Sequence, residues 1–273
     1  HTGVISRTAE ATPPEPAARR RSSLGAARIV AAMRAATDPV LSPSERPVLV
    51  GTGLRKRFGS TVALDGIDIA VAAGEALAVT GPSGSGKSTL LHCLAGVLRP
   101  DAGTVELDGE RIDTLGEQRR SALRRSRFGF VFQSGHLLAE LPADENVALP
   151  LLLGGVGRRA AVARAREWFP RLGLAGLERR RPGELSGGQA QRVAVARALV
   201  TGPRVVFADE PTGALDQASG AEVMRLLRET TRAQGAALLV VTHDPGVAAW
   251  CDRVVEVRDG RVTDAAAVQE VGR

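Results

Sequence analysis

The amino-acid sequence predicts an α/β fold in which a parallel β-sheet is covered by helices. Two short apolar runs, residues 204–209 and 236–243, are typical of buried strands, and a helical pattern over Ala218–Gln234 separates them. A third apolar run, ALAVTG, leads directly into a glycine-rich loop and a helical pattern over residues 86–98. Alternation of strands and helices in this way is typical of parallel strands joined by helices.

Composition limits the class of protein. The chain has 273 residues, of which 44% are apolar, as in ordinary globular domains. Its best apolar run, GAALLVVTH, has about half the length that a membrane-spanning helix needs, so a soluble or peripheral protein is expected. Cys93 and Cys251 lack the spacing of metal ligands. We therefore expect two small buried residues in a reducing compartment rather than a zinc site.

The net charge of +6 comes from three basic segments, and the rest of the chain is acidic overall. These segments are residues 1–47, 117–127 and 158–181, each with an excess of arginine. Aromatic residues, on which nucleotide bases stack, are nearly absent from them, so no nucleic-acid partner is expected. A solvated helix face and a surface turned towards an anionic membrane are the alternatives that remain.

The two ends of the chain read as tails. Residues 1–47 are rich in Pro, Ala, Ser and Arg and predict a disordered tail with a short helix over Leu24–Ala36. Part of this tail is Arg-rich and nearly free of acids, as transit peptides are, but a flexible extension is the favoured interpretation. Because the sequence begins at His1 rather than Met, the natural start is open, with Met33 as a candidate. A domain over 48–265 and a C-terminal tail over 266–273 are expected.

Between the tails, turns break the sequence into recognisable elements. Runs of β-type residues predict strands within residues 47–58, 61–81 and 103–112. Residues 117–200 predict mostly helix, with a proline-rich interruption at Leu141–Leu153.

A phosphate-binding loop is the strongest functional signal. The stretch GPSGSGKS fits the pattern G-x-x-x-x-G-K-S/T between a predicted strand and a predicted helix. Glycines let backbone N–H groups turn towards a phosphate, and the helix N-terminus adds partial positive charge. Lys87, one of only two lysines in the chain, would reach the β- and γ-phosphates, and the Ser88 hydroxyl would coordinate Mg²⁺. The residues expected to hold the nucleotide are Gly81, Pro82, Ser83, Gly84, Ser85, Gly86, Lys87, Ser88 and Thr89.

Three further side chains stand at the ends of predicted strands. Asp209 ends RVVFAD and can hold Mg²⁺ directly or through water. Glu210 is the next residue, so its side chain points elsewhere and can orient or deprotonate a water molecule. His243 follows LLVVT, where an imidazole can touch the γ-phosphate. His92 and His136 lack such a position and are expected to be structural.

The order of the motifs resembles that of the ATP-binding subunits of ABC transporters. The matching stretches are GPSGSGKST, FVFQ, LSGGQAQR, VVFADEPT, GALD and VVTHD, and the resemblance extends from Val48 to about Val262. It implies a P-loop ABC ATPase core with an N-terminal antiparallel β subdomain and an inserted helical subdomain at about 117–200. It also implies a head-to-tail dimer of two copies, in which LSGGQ of one copy faces the ATP held by the other.

The resemblance assigns roles to residues without strong chemistry of their own. An anion site at a helix N-terminus would contact the partner's nucleotide. Its residues are Ser186, Gly187, Gly188 and Gln189. Asp216 would lie at the dimer interface. Phe58 would stack on adenine, where related proteins often have Tyr, and an ordinary core aromatic is the alternative for this ring.

The resemblance also completes the expected catalytic and metal-binding groups. Gln133, at the end of FGFVFQ, would contact both Mg²⁺ and the attacking water. The expected metal-binding residues are thus Ser88, Gln133 and Asp209. The expected catalytic residues are Glu210, His243 and Gln133, and ATP and Mg²⁺ are the expected cofactors.

Three longer stretches indicate a branch of the family. FQSGHLLAELPADENVALPLLLGG, ADEPTGALD and VVTHDPGVAAWCDRVVEVRDGRV look like subunits of macrolide-export, lipoprotein-release and antimicrobial-peptide-export systems. This branch implies a permease with four membrane helices and a large extracytoplasmic domain, powered from the cytoplasmic face of the plasma membrane. The alternative is a soluble ABC-type ATPase that acts on nucleic acid or the ribosome. Such proteins usually carry two cassettes or a long coiled-coil insertion, and this sequence shows neither.

Overall fold

The computed structural model describes residues 47–263, which form two β-sheets with helices packed on them. The smaller sheet is antiparallel, with the strand order β2-β1-β4-β5. Its strands are β1 (Pro47–Phe58), β2 (Thr61–Ala72), β4 (Ala102–Leu107) and β5 (Glu110–Arg111). This sheet is the antiparallel β subdomain that the resemblance implies.

The larger sheet contains the parallel strands predicted from the alternating pattern. Its order is β10-β9-β3-β8-β7-β6, and only the pairing of β10 with β9 is antiparallel. The strands are β3 (Ala76–Thr80), β6 (Phe128–Phe132), β7 (Val205–Asp209), β8 (Ala237–Val241), β9 (Arg253–Arg258) and β10 (Arg261–Thr263). Every residue of β8 is buried, as expected for a central strand covered on both faces.

The register of the parallel strands brings their carboxyl ends level. Val79 of β3 and Asp209 of β7 both pair with Val241 of β8, and Phe132 of β6 pairs with Asp209. Loops that follow four neighbouring strands therefore meet at one edge of the sheet, where α/β proteins bind their ligands.

Helices cover both faces of the larger sheet. They are α1 (Lys87–Leu94), α2 (Glu117–Arg127), α3 (Ala143–Leu153), α4 (Arg158–Arg166), α5 (Trp168–Arg171), α6 (Gly187–Leu199), α7 (Gln217–Ala233) and α8 (Pro245–Ala248). Leu90 and Leu94 of α1 share one apolar core with Leu49 of the smaller sheet and Leu77 of β3. Helices α3 to α8 contribute to a second core on the opposite face. The predicted α/β fold class is confirmed.

Residues 128–132 form strand β6, where the sequence predicted helix. FGFVF lies at the edge of the larger sheet and pairs in parallel with β7. The rings of Phe128 and Phe130 pack on the ring of Phe207 at centroid distances of 5.2 and 5.6 Å. The helical prediction was wrong here because pairing with a strand about 75 residues away, which no local pattern reveals, decides the conformation.

The predicted proline-rich interruption at Leu141–Leu153 is also wrong, since residues 143–153 form helix α3. Pro142 is the N-cap, outside the helix, and Pro150 lies near the C-terminal end. The buried apolar positions recur at helical spacing: Ala143, Val147, Ala148 and Leu151. Burial of this face maintains the helix although Pro150 removes one backbone N–H donor.

The basic helical segments are partly paired with acids. In α2, Arg120 and Arg124 contact Glu117 at 2.7 and 2.5 Å. In α4, Arg158 lies 2.8 Å from Glu145, and Arg166 lies 2.8 Å from the buried Asp144. These pairs neutralise part of the positive charge, and the solvated-face and membrane-facing interpretations stay predictions.

Some expectations concern the ends of the chain. The predicted helix over Leu24–Ala36 and the tail over 266–273 lie outside the described residues, and the domain boundaries stay predictions. Within residues 47–263, no helix combines the length and apolar character that crossing a membrane requires.

Cys93 and Cys251 are buried as expected, and burial raises the pKa of their thiols to about 11 and about 12. These thiols are therefore protonated and unreactive near neutral pH.

Candidate active site

The glycine-rich loop lies between β3 and α1 and depends on glycine at defined positions. Gly81, Gly84 and Gly86 have φ values of 138°, 78° and 106°, which residues with a side chain rarely adopt. A Cβ atom on Gly81 would overlap the carbonyl oxygen of Val257, and one on Gly86 would overlap that of Ala63. The loop can therefore turn and approach neighbouring backbone only with glycine at these two positions.

The interior of this loop carries positive charge and an unsatisfied hydroxyl. Lys87, which is nearly buried, donates hydrogen bonds from Nζ to the carbonyl oxygens of Gly81 and Pro82, both at 2.8 Å. Ser85 is buried, and its hydroxyl has no hydrogen-bond partner among the described residues. An ammonium group, a free hydroxyl and a helix N-terminus within one turn fit a polyanionic ligand such as a nucleotide phosphate.

Asp209 lies at the end of β7, next to the Ser88 hydroxyl. Burial raises the pKa of Asp209 above its usual range, and the charge of Glu210 adds to this effect. His92 opposes it most strongly, followed by the hydrogen bond from Ser88 and the charge of Lys87. Sequence reasoning treated His92 as structural, although its position one helical turn after Ser88 places it on the same side of α1.

The donor atoms around Asp209 suit a hard cation. Asp209, Ser88 and Gln133 offer carboxylate, hydroxyl and amide oxygens, which are the ligands that Mg²⁺ prefers. Residues 47–263 contain no group of three or more His, Cys, Asp or Glu side chains that could hold a metal unaided. This pattern fits Mg²⁺ sites in which one carboxylate and the phosphates of a nucleotide share the ion.

Glu210, the residue after Asp209, contacts His243. Its φ of 47° is unusual for a residue with a side chain, and its N–H donates to the carbonyl of Val241 at 2.9 Å. Oε1 accepts a hydrogen bond from the N–H of His243 at 3.1 Å and lies 2.7 Å from Nδ1 of its ring. Oε2 accepts from the Thr242 hydroxyl at 3.1 Å. The structure thus brings together the two predicted residues that end neighbouring strands.

Gln133 follows β6 and rests against the loop after Glu210. A Cβ atom on Gly213 would lie only 2.8 Å from Nε2 of Gln133, so the exposed Gln133 side chain lies directly over that glycine. Gly213 in turn donates to the carbonyl of Glu210 at 3.1 Å. Gln133 therefore lies at the same edge of the sheet as the carboxylates.

The LSGGQ stretch forms the N-terminus of α6. Ser186 is the N-cap, and its hydroxyl accepts from the N–H of Gln189 at 3.2 Å, while Oε1 of Gln189 accepts from the N–H of Ser186 at 2.9 Å. This reciprocal capping box orders the first turn. The N–H groups of Gly187 and Gly188 belong to that turn and have no acceptor within the helix. Among the described residues, no hydrogen bond joins Ser186–Gln189 to the glycine-rich loop of the same chain.

Asp216 caps the neighbouring helix α7. Its carboxylate accepts hydrogen bonds from the N–H and the hydroxyl of Ser219 at 2.9 and 2.7 Å. Both bonds lower the pKa of Asp216, and the bond from the N–H has the larger effect. A Cβ atom on Gly188 would lie 3.3 Å from Cβ of Ser219. Hence the N-termini of α6 and α7 lie side by side on the surface.

Phe58 ends strand β1 with a half-exposed ring, at 50% exposure. The core-aromatic alternative is therefore wrong, since a core ring would be buried. Nζ of Lys56 lies 5.7 Å from the ring centroid. Asp101 holds this segment by accepting from Nζ of Lys56 at 2.8 Å and from the N–H of Arg57 at 2.7 Å.

Sequence reasoning missed two residues of α6 that hold the site loops. The buried Gln191 donates from Nε2 to the carbonyls of Phe132 and Pro211. Arg197 donates to the carbonyls of Gly135 and His136, whose ring stacks on that of Phe132. A glutamine on the apolar face of a helix was the available signal, because buried amides require partners.

Comparison with known proteins places the chain in a family. The profile described as ABC transporter matches residues 64–213. A macrolide export ATP-binding/permease protein, MacB of Nitrosomonas europaea, is 48% identical over 221 residues, which cover 79% of this chain and 33% of MacB. A lipoprotein-releasing system ATP-binding protein, LolD of Chromohalobacter salexigens, is 48% identical over 203 residues, which cover 74% of this chain and 86% of LolD. The chain thus spans about a third of the length of the MacB relative that it matches.

A solved structure agrees with these matches. The dimeric structure of the ATP-binding cassette MJ0796, in a post-hydrolysis state with ADP and Pi, has a TM-score of 0.73 at 35% identity. The match covers 81% of this chain and 99% of that one. The resemblance seen in the motifs, including macrolide-export and lipoprotein-release systems, is confirmed. The chain therefore belongs to the ABC transporter family and contains its ATP-binding ATPase domain.

Proposed function

We propose that this chain hydrolyses ATP, with Mg²⁺, at a site shared between two copies, and that it powers a membrane permease of the export type. The observation that carries the proposal is the meeting of Lys87, Asp209 and Glu210 at one edge of the sheet. The aligned ends of β3, β7 and β8 produce this meeting. A phosphate-binding amine, a carboxylate for a cation and a second carboxylate for water are the groups that nucleotide hydrolysis needs.

The glycine-rich loop and Phe58 bind the nucleotide. Lys87 and the N–H groups from Gly81 to Thr89 contact the phosphates, since they line a loop at a helix N-terminus. The exposed ring of Phe58 offers a free aromatic face to the adenine. The segment of Phe58 is anchored by Asp101, which limits the entropy lost on binding.

Ser88, Gln133 and Asp209 hold Mg²⁺ together with the nucleotide. The cation would neutralise negative charge that develops on the phosphates. The partly buried position of Asp209 supports this role, because burial raises the pKa of this carboxyl and a carboxylate in such surroundings gains from a cation nearby.

Glu210 acts as the general base, and His243 positions it. Its carboxylate is fixed by three hydrogen bonds, from the Thr242 hydroxyl and from both the N–H and the ring of His243. A fixed carboxylate can orient a water molecule and accept its proton. The exposed His243 ring can also contact the γ-phosphate, and Gln133 contacts the water from the opposite side.

A second copy of the chain completes each site. Ser186 to Gln189 contact the γ-phosphate held by the partner, and the free N–H groups of Gly187 and Gly188 at the helix N-terminus point to this role. Asp216 lies beside them at the interface. Complete motifs in this one chain support a homodimer with two competent sites, and the dimeric state of the MJ0796 cassette supports the same arrangement.

The partner is an integral membrane permease, and the chain lies peripherally at the cytoplasmic face of the plasma membrane. The names of two relatives support this: MacB is a macrolide export ATP-binding/permease protein, and LolD is the ATP-binding protein of a lipoprotein-releasing system. We propose that the partner permease has four membrane helices and a large extracytoplasmic domain. A soluble ABC-type ATPase acting on nucleic acid or the ribosome is the competing function.

Capture of the partner tests this function. A tagged Glu210→Gln variant is incubated with ATP and native membranes, and the co-purified chains are identified. We expect a polytopic membrane protein that is recovered with ATP and lost with the control Lys87→Ala, which lacks the phosphate-binding amine. Recovery of soluble proteins or nucleic acid alone would contradict the permease proposal and support the soluble alternative.

A further inference from the structure

Gln191 of helix α6 connects two loops of the site through one side-chain amide. It is buried, at 3% exposure, and Nε2 donates to the carbonyl of Phe132 at 2.8 Å and to that of Pro211 at 2.7 Å. A primary amide has two N–H donors, so these bonds use its full donor capacity. The side chain therefore ties the ends of the adjacent strands β6 and β7 together.

Both carbonyls adjoin proposed catalytic groups. Phe132 immediately precedes Gln133, and Pro211 immediately follows Glu210. A Cβ atom on Gly135 would lie 3.2 Å from Oε1 of Gln191, so the same side chain also packs beneath the turn after Gln133. The amide thus adds a second link between the backbone at Gln133 and at Glu210, beyond the pairing of Phe132 with Asp209.

The helix that carries Gln191 holds the Gln133 segment from its other side as well. Arg197 donates to the carbonyls of Gly135 and His136 at 2.6 and 2.8 Å. The N-terminal end of the same helix is Ser186, proposed to face the partner's nucleotide. One rigid helix therefore connects the surface offered to the partner with the two loops that serve the chain's own nucleotide.

We infer that Gln191 is a positioning residue for ATP hydrolysis, which holds Gln133 and Glu210 at the separation that the reaction needs. The inference rests on the roles proposed for those two residues. Gln191 contacts backbone carbonyls only, so it acts through Gln133 and Glu210 and not on the nucleotide. Loss of its two hydrogen bonds should lower the turnover number while the nucleotide-binding loop stays intact.

Substitution by glutamate tests the inference with little change in volume. The Gln191→Glu side chain faces two carbonyl oxygens with no donor as a carboxylate and with one O–H donor when protonated, so at least one of the two hydrogen bonds is lost. We expect kcat per ATP-binding site to fall about 10- to 100-fold, with KM for ATP within about threefold of wild type. Gln191→Met, which is neutral and lacks donors, serves as a second variant if glutamate prevents folding.

Asn146 provides the matched control. It is a buried amide of helix α3 that donates from Nδ2 to the carbonyls of Leu138 and Leu141, both at 3.0 Å. Asn146→Asp should lower the melting temperature as Gln191→Glu does, because it also leaves buried carbonyls without donors. It should leave kcat per binding site unchanged.

A double substitution separates positioning from general loss of structure. In a Gln133→Ala background, Gln191→Glu should lower kcat by a smaller factor than in the wild type, since the part of its effect that is exerted through Gln133 is already lost. Wild-type kcat in both Gln191 variants, or an equal loss of kcat in Asn146→Asp, would overturn the inference. If Glu210→Gln and Gln133→Ala are impaired and Gln191→Glu is not, only this inference fails. Normal hydrolysis by Glu210→Gln would instead overturn the proposed function.

Discussion

Oε1 of Glu210 lies 2.7 Å from Nδ1 of His243, and the N–H of His243 donates to the same oxygen at 3.1 Å. The two residues end neighbouring parallel strands and are 33 positions apart in the chain. Glu210 makes this contact from a backbone with a positive φ of 47°. Two adjacent carboxylates thus have different surroundings: Asp209 is partly buried beside Ser88, and Glu210 is hydrogen-bonded to His243.

His243→Ala should slow hydrolysis without preventing nucleotide binding. The variant removes the ring that holds Glu210, while Thr242 and the backbone N–H at 243 still donate to the carboxylate. We expect kcat to fall about 10- to 100-fold, less than the loss of a general base itself. Phosphate release and ATP titration measure the two effects, and tenfold weaker ATP binding with unchanged kcat would contradict the assignment.

Phe58→Ala should weaken ATP binding. Stacking of a base on an aromatic ring contributes about 1–3 kcal/mol, so the Kd for ATP should rise about 5- to 150-fold. Phe58→Tyr keeps the aromatic face and should bind ATP as the wild type does. Val62→Ala is the control, because it removes another exposed apolar side chain, on strand β2 opposite Arg57. Equal affinity for ATP in Phe58→Ala and Val62→Ala would contradict the stacking role.

Mixed dimers should recover activity that neither parent has. Lys87→Ala disables the glycine-rich loop, and Gly187→Asp places a negative charge where the partner's phosphate is proposed to bind. Aspartate at the first turn is favourable for a helix, so α6 should remain folded. In a one-to-one mixture, about half of the dimers are mixed, and each mixed dimer has one intact site of two. About a quarter of all sites are then intact, so about a quarter of the wild-type ATPase activity is expected. ATPase activity that stays at the level of the parents would contradict the head-to-tail arrangement.

Asp108→Asn should reduce stability in a pH-dependent way. Burial raises the pKa of Asp108, but hydrogen bonds and charge from Arg204 and Arg127 outweigh this, so the pKa is lowered overall. A carboxyl with a lowered pKa stabilises the fold above its unfolded pKa of about 4, and this contribution is lost as the pH falls through the folded pKa. We expect a loss of about 1 kcal/mol at pH 7 for this partly exposed group, shrinking below about pH 4.

Urea unfolding at several pH values measures the effect of Asp108→Asn. Asparagine tolerates the positive φ of 52° at this position, so backbone strain is not introduced. Glu229→Gln, which breaks an exposed pair with Arg225 on α7, is the control and should cost less than about 0.5 kcal/mol. A difference between Asp108→Asn and wild type that does not change with pH would exclude the ion pairs as its cause.

Contiguous motifs explain what could be predicted from the sequence. The loop from Gly81 to Ser88 was located because its pattern is local and the flanking strand and helix are strongly apolar. Asp209, Glu210 and His243 were located by their position after strands of a parallel sheet. The roles of Gln133, Asp216 and the LSGGQ stretch came only from the family resemblance, because their residue types carry no distinctive chemistry.

Long-range partners explain what was missed. Gln191 bonds to residues 59 and 20 positions away, so its double contact depends on how β6 and β7 pack against α6. Strand β6 lies within residues 117–200, for which the sequence predicts mostly helix, and its pairing partner β7 lies far along the chain. The proline-rich composition of Leu141–Leu153 predicts an interruption, but residues 143–153 form helix α3 because its buried face outweighs the backbone hydrogen bond lost at Pro150.

Phosphate release by Glu210→Gln at saturating ATP tests the central claim most directly. Glutamine keeps the length of the side chain but cannot accept a proton from water. We expect kcat to fall about 10²- to 10⁴-fold, the range for loss of a general base, while the stoichiometry and affinity of ATP binding stay at the wild-type values. Near-normal phosphate release by a variant that binds ATP normally would contradict the role of Glu210 and with it the proposed reaction at this site.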